Sequence, residues 1–153
     1  MGGSRTGLWI VSVAAAAAFG VAGVAVSQGA GVVDQRQAIM KHVGQEMKEG
    51  AAFTSPQTPF DAAKVRALMD GVAVDANKLH GLYPAGSGAD SKTAADPKIW
   101  QNKADFDKRL SELASLAATA GKAKSTDSYK PAFSAVGATC KSCHDIYRKK
   151  KAA

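Results

Sequence analysis

Four stretches of the chain carry apolar residues at spacings of three and four, the repeat of one face of an α-helix. The first runs from Val33 to Lys48, with Val33, Met40, Val43 and Met47 on the stripe and Ile39 beside it. The second opens at Thr58-Pro59-Phe60-Asp61 and continues through Val65, Leu68, Val72, Ala76 and Leu79. Thr58 is the expected cap, Pro59 the first helical residue and Asp61 a favourable charge at the positive end. The third opens at Asp96-Pro97, again cap then proline, and shows Phe106, Leu110, Leu113, Ala117 and Ala120. The fourth is expected to begin near Ser128, which leaves Pro131 in the tolerated first turn, and shows Phe133, Val136, Cys140, Cys143 and Tyr147. No stretch alternates with the period of two that a half-buried strand requires. The connections are Glu49 to Gln57, Gly81 to Ala95 and Gly121 to Asp127, two short and one long. Helices joined in this way predict an all-α fold, an antiparallel four-helix bundle, in which a cofactor would sit between facing stripes. The middle connection is long for a plain turn. It either folds over one end of such a site or hangs as a surface loop.

Candidate chemistry falls on the fourth stripe. Cys140-Lys141-Ser142-Cys143-His144 reads Cys-x-x-Cys-His, the attachment signature of a c-type haem. Thiols at i and i+3 on a helix project from nearly one face, so both can add to the vinyl groups along one porphyrin edge. The next residue, His144, is placed to give an axial imidazole to the iron. Other uses of the pair fit less well. A thiol-redox pair wants a βαβ context, and a zinc site wants more ligands than this chain, with two cysteines, sets near the motif. His42 and His80 are distant in sequence and are expected to be exposed and unconnected with the iron.

The start of the chain reads differently from the rest. Met1 to Thr6 carries Arg5 and no acid, and Leu8 to Val26 is apolar with an alanine run at Ala14 to Ala18. This is the pattern of a secretory signal peptide over residues 1–27, ending in the small-x-small site Ala25-Val26-Ser27 and leaving a domain over 28–153. The alternative is an uncleaved anchor. Both imply export. The formal net charge is +7, part of it from Arg148 to Lys151 at the end of the chain. That run is either a collar for an acidic redox partner protein or a set of solvated helix-end cations. It lacks the aromatic interleaving of a nucleic-acid surface. No nucleophile, base and orienter come together in the sequence as hydrolysis would need, so no enzyme is indicated.

Several further pieces accompany the motif: Arg36-Gln37-Ala38-Ile39-Met40-Lys41, Leu82-Tyr83-Pro84-Ala85-Gly86-Ser87-Gly88, Pro97-Lys98-Ile99-Trp100, Phe106-Asp107 and His144-x-x-x-Arg148. With a C-terminal Cys-x-x-Cys-His on a fourth helix, the chain resembles the class II cytochromes c, that is, the cytochromes c-prime and their low-spin, methionine-ligated relatives. The resemblance covers about Val33 to Lys150. It implies a left-handed bundle with one covalent haem c at its C-terminal end, periplasmic electron transfer, and often a homodimer packed through the first two helices. It also places Met40 at the distal position. In the low-spin members a methionine there is the sixth ligand. In the cytochromes c-prime the residue only shields a five-coordinate iron that binds carbon monoxide or nitric oxide. The match through the middle loop and the third-helix entry looks closer to the low-spin members, with Met47 the runner-up ligand. Arg36 and Gln37, one turn before Met40, can face the haem rim, where Arg36 could pair with a propionate. Arg148, at i+4 from His144, can tune the field at the proximal imidazole, and Trp100 is expected to pack on haem or core.

Overall fold

The structure, a computed structural model, describes residues 25–89 and 92–150, with side chains from residue 31 onward. Helix α1 spans Ala25–Ala51, α2 Ala62–Leu79, α3 Lys98–Gln101, α4 Lys103–Ala120 and α5 Thr126–Tyr147. The four long helices pack in sequence order: α1 on α2, α2 on α4, α4 on α5. This is the expected antiparallel bundle. The ring is not closed evenly. The far end of α5 meets the 3₁₀ turn Ala52–Thr54, while α1 and α5 themselves barely touch. A cleft is left between them. Among the described residues, no helix is long and apolar enough to cross a membrane. The proposed leader over 1–27 lies outside the described residues except for the backbone of Ala25, Val26 and Ser27, which begins α1. Lys151 of the basic run also lies outside them.

Helix ends differ from the sequence expectation in ways that local chemistry explains. Helix α1 continues through residues taken as linker as far as Ala51. Helix α2 is capped by Asp61 rather than Thr58. The Asp61 carboxylate accepts from the amides of Ala63 and Lys64, each at 3.0 Å, and Pro59 stays in the lead-in. A carboxylate meets the positive helix end better than a hydroxyl does. The third stripe is not one helix. Asp96 Oδ1 accepts from the Lys98 amide at 3.0 Å to start α3, and the chain leaves helical geometry at Asn102 (φ −134°, ψ 56°) before α4 resumes. Helix α5 starts at Thr126, two residues before Ser128, because Ser125 as the cap and Ser128 form a reciprocal capping box. Pro131 is therefore in the second turn. It removes the bond to the Asp127 carbonyl, where both residues are exposed and water can substitute.

The predicted stripes are the observed core. Val65, Val72, Ala76 and Leu79 of α2, the five residues of the α4 stripe, and Val136 and Tyr147 of α5 are buried. Met69 and Tyr129, which the stripes omit, are fully buried as well. The core has two parts. One, around Met69, Leu113, Tyr129 and Val136, fills the end near the α1–α2 turn. The other, Leu79, Tyr83, Ile99, Phe106, Leu110 and Tyr147, lies at the opposite end, with Met40 and Cys143 packed against it.

The middle connection belongs to this second end. Tyr83, Ser87 and Thr93 are buried, and the Arg36 guanidinium holds the loop from α1. Gly86, at φ +80°, makes a turn that a side chain would strain. A Cβ at Gly88 would sit 2.6 Å from the Trp100 ring, so the loop can approach that indole only as glycine. The chain's tail then binds the same loop. The Asp96 amide donates to the Tyr147 carbonyl at 2.9 Å, and the Lys149 amide donates to the Ala94 carbonyl at 2.8 Å. The loop thus folds over one end of the bundle.

Candidate haem site

The cleft between α1 and α5 holds two adjoining cavities of about 370 and 230 Å³. Both are lined by Met40, Leu110, Cys143 and His144. The larger extends under the middle loop to Tyr83, Phe106 and Tyr147. The smaller extends toward the bundle interior past Val43, Met47 and Cys140. Their apolar lining with a few convergent polar groups suits a cofactor rather than a water-filled channel.

Each donor is placed by its helix. Cys140 and Cys143 lie three residues apart on α5, so both half-buried thiols open on the cleft. Burial raises both thiol pKa values, while the nearby Arg109 lowers that of Cys143. His144 follows directly and faces both cavities. Its imidazole pKa is lowered, first by burial and then by the charge of Arg148, against a smaller opposing effect of Asp145. The neutral form that ligates iron is thereby favoured. Met40 lies across from it on α1. Two thiols and an imidazole on one apolar cleft are the donor set that attaches haem c, and the residues fit it, with the Met40 thioether facing the same cleft.

The outer residues behave less uniformly. Arg36 lines the larger cavity but is only 4 % exposed, and its donors are turned to the loop. Nε donates to the Leu82 carbonyl at 2.5 Å and Nη1 to the Ser87 carbonyl at 3.3 Å and to Thr93 Oγ1 at 3.4 Å, while Nη2 donates to Ser87 Oγ. Its plane also lies 4.3 Å from the Tyr83 ring centroid. Gln37 lines the cavity and is exposed, donating to the Lys92 carbonyl at 2.9 Å. Arg148 lines it too. Trp100 does not. Its indole N–H donates to the Pro84 carbonyl at 2.9 Å, and its ring packs in the loop beside Tyr83. Met47 lines only the smaller cavity. His80 is half-buried between Asp107 and Ser111, a departure from the exposed residue expected, and neither His80 nor His42 lines the cleft.

Sequence reasoning missed a buttress behind Cys143. Asp105 Oδ2 accepts from Tyr147 Oη at 2.6 Å and from Arg109 Nε at 2.7 Å, and Arg109 reaches Ser142 Oγ at 3.4 Å. The Arg109 hydrogen bond, then that from Tyr147, holds the Asp105 pKa below its usual range. This network ties α4 to the turn of α5 that carries the motif. The only signal in the sequence was the i, i+4 spacing of Asp105 and Arg109.

An antiparallel four-helix bundle with a Cys-x-x-Cys-His cleft at one end defines a bundle-type c cytochrome. Comparison with known proteins bears this out. The sequence profile of the family described as Cytochrome C′ matches residues 31–148, and the chain belongs to that family. It is 42 % identical over 130 residues to a cytochrome c′ of Rhodopseudomonas palustris, covering 84 % of this chain and 88 % of that protein. It is 33 % identical to a cytochrome c-556 of Agrobacterium fabrum, covering 92 % of this chain and 96 % of that protein. The solved structure of cytochrome c′ from Rhodopseudomonas palustris superposes with a TM-score of 0.74 at 42 % identity, covering 79 % of this chain and 98 % of that one. The fold is the left-handed four-helix bundle of the family, and the family carries one covalent haem c and transfers electrons.

Proposed function

We propose that the chain is a periplasmic electron carrier with its haem iron held between His144 and Met40. The observation that carries this reading is the position of Met40, which lines both lobes of the cleft together with His144 from the opposite helix. When bound, haem c supplies an iron that passes between ferric and ferrous states. Cys140 and Cys143 would hold the group by thioether bonds and His144 by its imidazole. The soft, neutral thioether of Met40 would favour the ferrous state and raise the potential. Tyr83, Phe106 and Leu110 keep the cleft apolar and exclude water. Arg148 makes the proximal imidazole harder to protonate and sets a positive field beside it. With Arg36 committed to the loop, Gln37, Lys41 and Arg148 are the exposed polar side chains lining the larger cavity that can meet the rim. Two ligands held on packed helices would move little, so reorganisation on electron exchange would be small. Arg148, Lys149 and Lys150 give an exposed basic collar for an acidic redox partner.

A second reading is favoured by the identity values, since the cytochrome c′ of Rhodopseudomonas palustris is nearer, at 42 %, than the cytochrome c-556 of Agrobacterium fabrum, at 33 %. In that reading Met40 only shields an open distal position that takes nitric oxide or carbon monoxide. Absorption spectra of oxidised, reduced and carbon-monoxide-treated protein separate the two. Sharp reduced bands unmoved by carbon monoxide, converted to a high-spin spectrum with a lower potential by Met40→Ala, support the carrier. A broad band that shifts with carbon monoxide and ignores Met40→Ala supports the open site. Cell fractionation tests the periplasmic location.

A further inference from the structure

A second polar cluster lies between α1 and α2, apart from the haem cleft. His42 and Glu46, four residues apart on one face of α1, meet Asp75 of α2. Their candidate ligand atoms all lie within 4.8 Å of one another. His42 Nδ1 is 2.7 Å from Asp75 Oδ2 and 3.8 Å from Glu46 Oε2. The Glu46 side chain is only 9 % exposed, and its Oε2 is buried with no hydrogen-bond partner. A buried carboxylate oxygen with no donor is unfavourable by itself, so something should compensate it.

The surroundings keep that carboxylate in place. A Cβ at Gly71 of α2 would overlap Glu46 Oε1, so glycine there opens the slot that the carboxylate enters. Asp75 Oδ1 is held at 2.9 Å by Lys78 Nζ on an exposed, movable side chain, which leaves Oδ2 for the cluster. His42 is 58 % exposed, giving an approach from water.

We propose that His42, Glu46 and Asp75 form a binding site for a first-row divalent cation of the zinc type, completed by water. Ligands at zinc's bond lengths in a tetrahedral set stand roughly 3.3–3.5 Å apart. The two separations from His42, 2.7 and 3.8 Å, bracket that value, and the remaining carboxylate pair lies within 4.8 Å, so side-chain adjustment of about an ångström admits the ion. One imidazole with two carboxylates matches zinc-type coordination, whereas calcium and magnesium want more oxygen ligands. The ion neutralises the bare Glu46 oxygen and joins α1 to α2, the helix pair that carries Met40 on its other side.

The test is titration calorimetry of the chelator-stripped haem-loaded protein with zinc alone. One ion per chain is expected, with a rise in thermal midpoint. His42→Ala and Glu46→Gln should each weaken binding roughly tenfold or more, since loss of even a residue that only orients a ligand costs about that much. Gly71→Ala should do the same by evicting the carboxylate, and His80→Ala should leave binding unchanged. His42 is exposed, so its variant should keep the native haem spectrum and helicity. Absence of saturable binding overturns the proposal. So does binding that survives both His42→Ala and Glu46→Gln, or that is lost with His80→Ala. Half an ion per chain also overturns it, because that would place the ion between two copies.

Discussion

Arg36 is the residue for which the structure most changes the expectation, and its replacement tests that change. Arg36→Ala removes hydrogen bonds to Leu82, Ser87 and Thr93 and a cation–π contact with Tyr83 at 4.3 Å. Hydrogen bonds from a charged donor are worth about 1.5–3 kcal/mol each, and a desolvated cation–π contact about 1–2 kcal/mol. The contributions overlap, because a released loop turns its carbonyls to water. The expected loss is therefore about 3–5 kcal/mol, as for other broken buried charged networks. For a domain of this size that lowers the Tm by about 10–20 °C. Far-ultraviolet circular dichroism of the haem-loaded protein reads the melt, and limited proteolysis reads exposure of the connection over 81–95. Arg36→Lys should rescue little, since a single ammonium cannot reproduce the fork. If Arg36→Ala melts within a few degrees of the parent and the loop stays protected, the clamp reasoning is wrong. A shifted reduction potential in such a stable variant would return Arg36 to the haem rim.

Three other outcomes are expected. Cys143→Ser should leave haem attached through Cys140 alone or lose it, read as covalent haem per chain by mass; unchanged doubly bonded haem would contradict the site. Gly50→Ala should destabilise the bundle, because its Cβ would lie 2.7 Å from Tyr129 Oη and 3.0 Å from the Phe133 ring; Tyr129→Phe, which also removes an unpartnered buried hydroxyl, should recover part of that loss in a double-mutant cycle of denaturant midpoints. Stability should fall in alkali, because burial pushes Tyr83 and Tyr129 from an ordinary pKa of 10.0 up to about 12. A raised acid pKa stabilises the fold below the unfolded value, and that contribution is lost as pH climbs from 10 to 12; for Tyr83 it is about 2–3 kcal/mol. Denaturant midpoints measured across that range, with tyrosinate absorbance rising only on unfolding, check it.

The bundle, its stripes and the cofactor were legible in the residues alone. The reason is that these rest on local rules: helical period, i to i+3 projection, and a motif whose chemistry is carried by five adjacent residues. Val65, Val72, Phe106, Leu110 and Val136 were legible as core because a stripe needs no knowledge of its partner. Helix ends were less legible. Asp61 displaced Thr58, and Ser125 with Ser128 displaced a later start, because neighbouring polar residues compete for the same amides. Which polar residues serve the cleft was set by packing between elements. Arg36 reads from sequence as a rim residue, but folding brings the loop carbonyls of Leu82 and Ser87 to it from 46 and 51 residues away, and a buried guanidinium must satisfy its donors there. The Asp105 buttress, the turn of Trp100 into the loop, and the meeting of His42, Glu46 and Asp75 across two helices have the same cause. Each joins groups from different elements, and no period in a sequence records which side chains packing will bring within bonding distance across them.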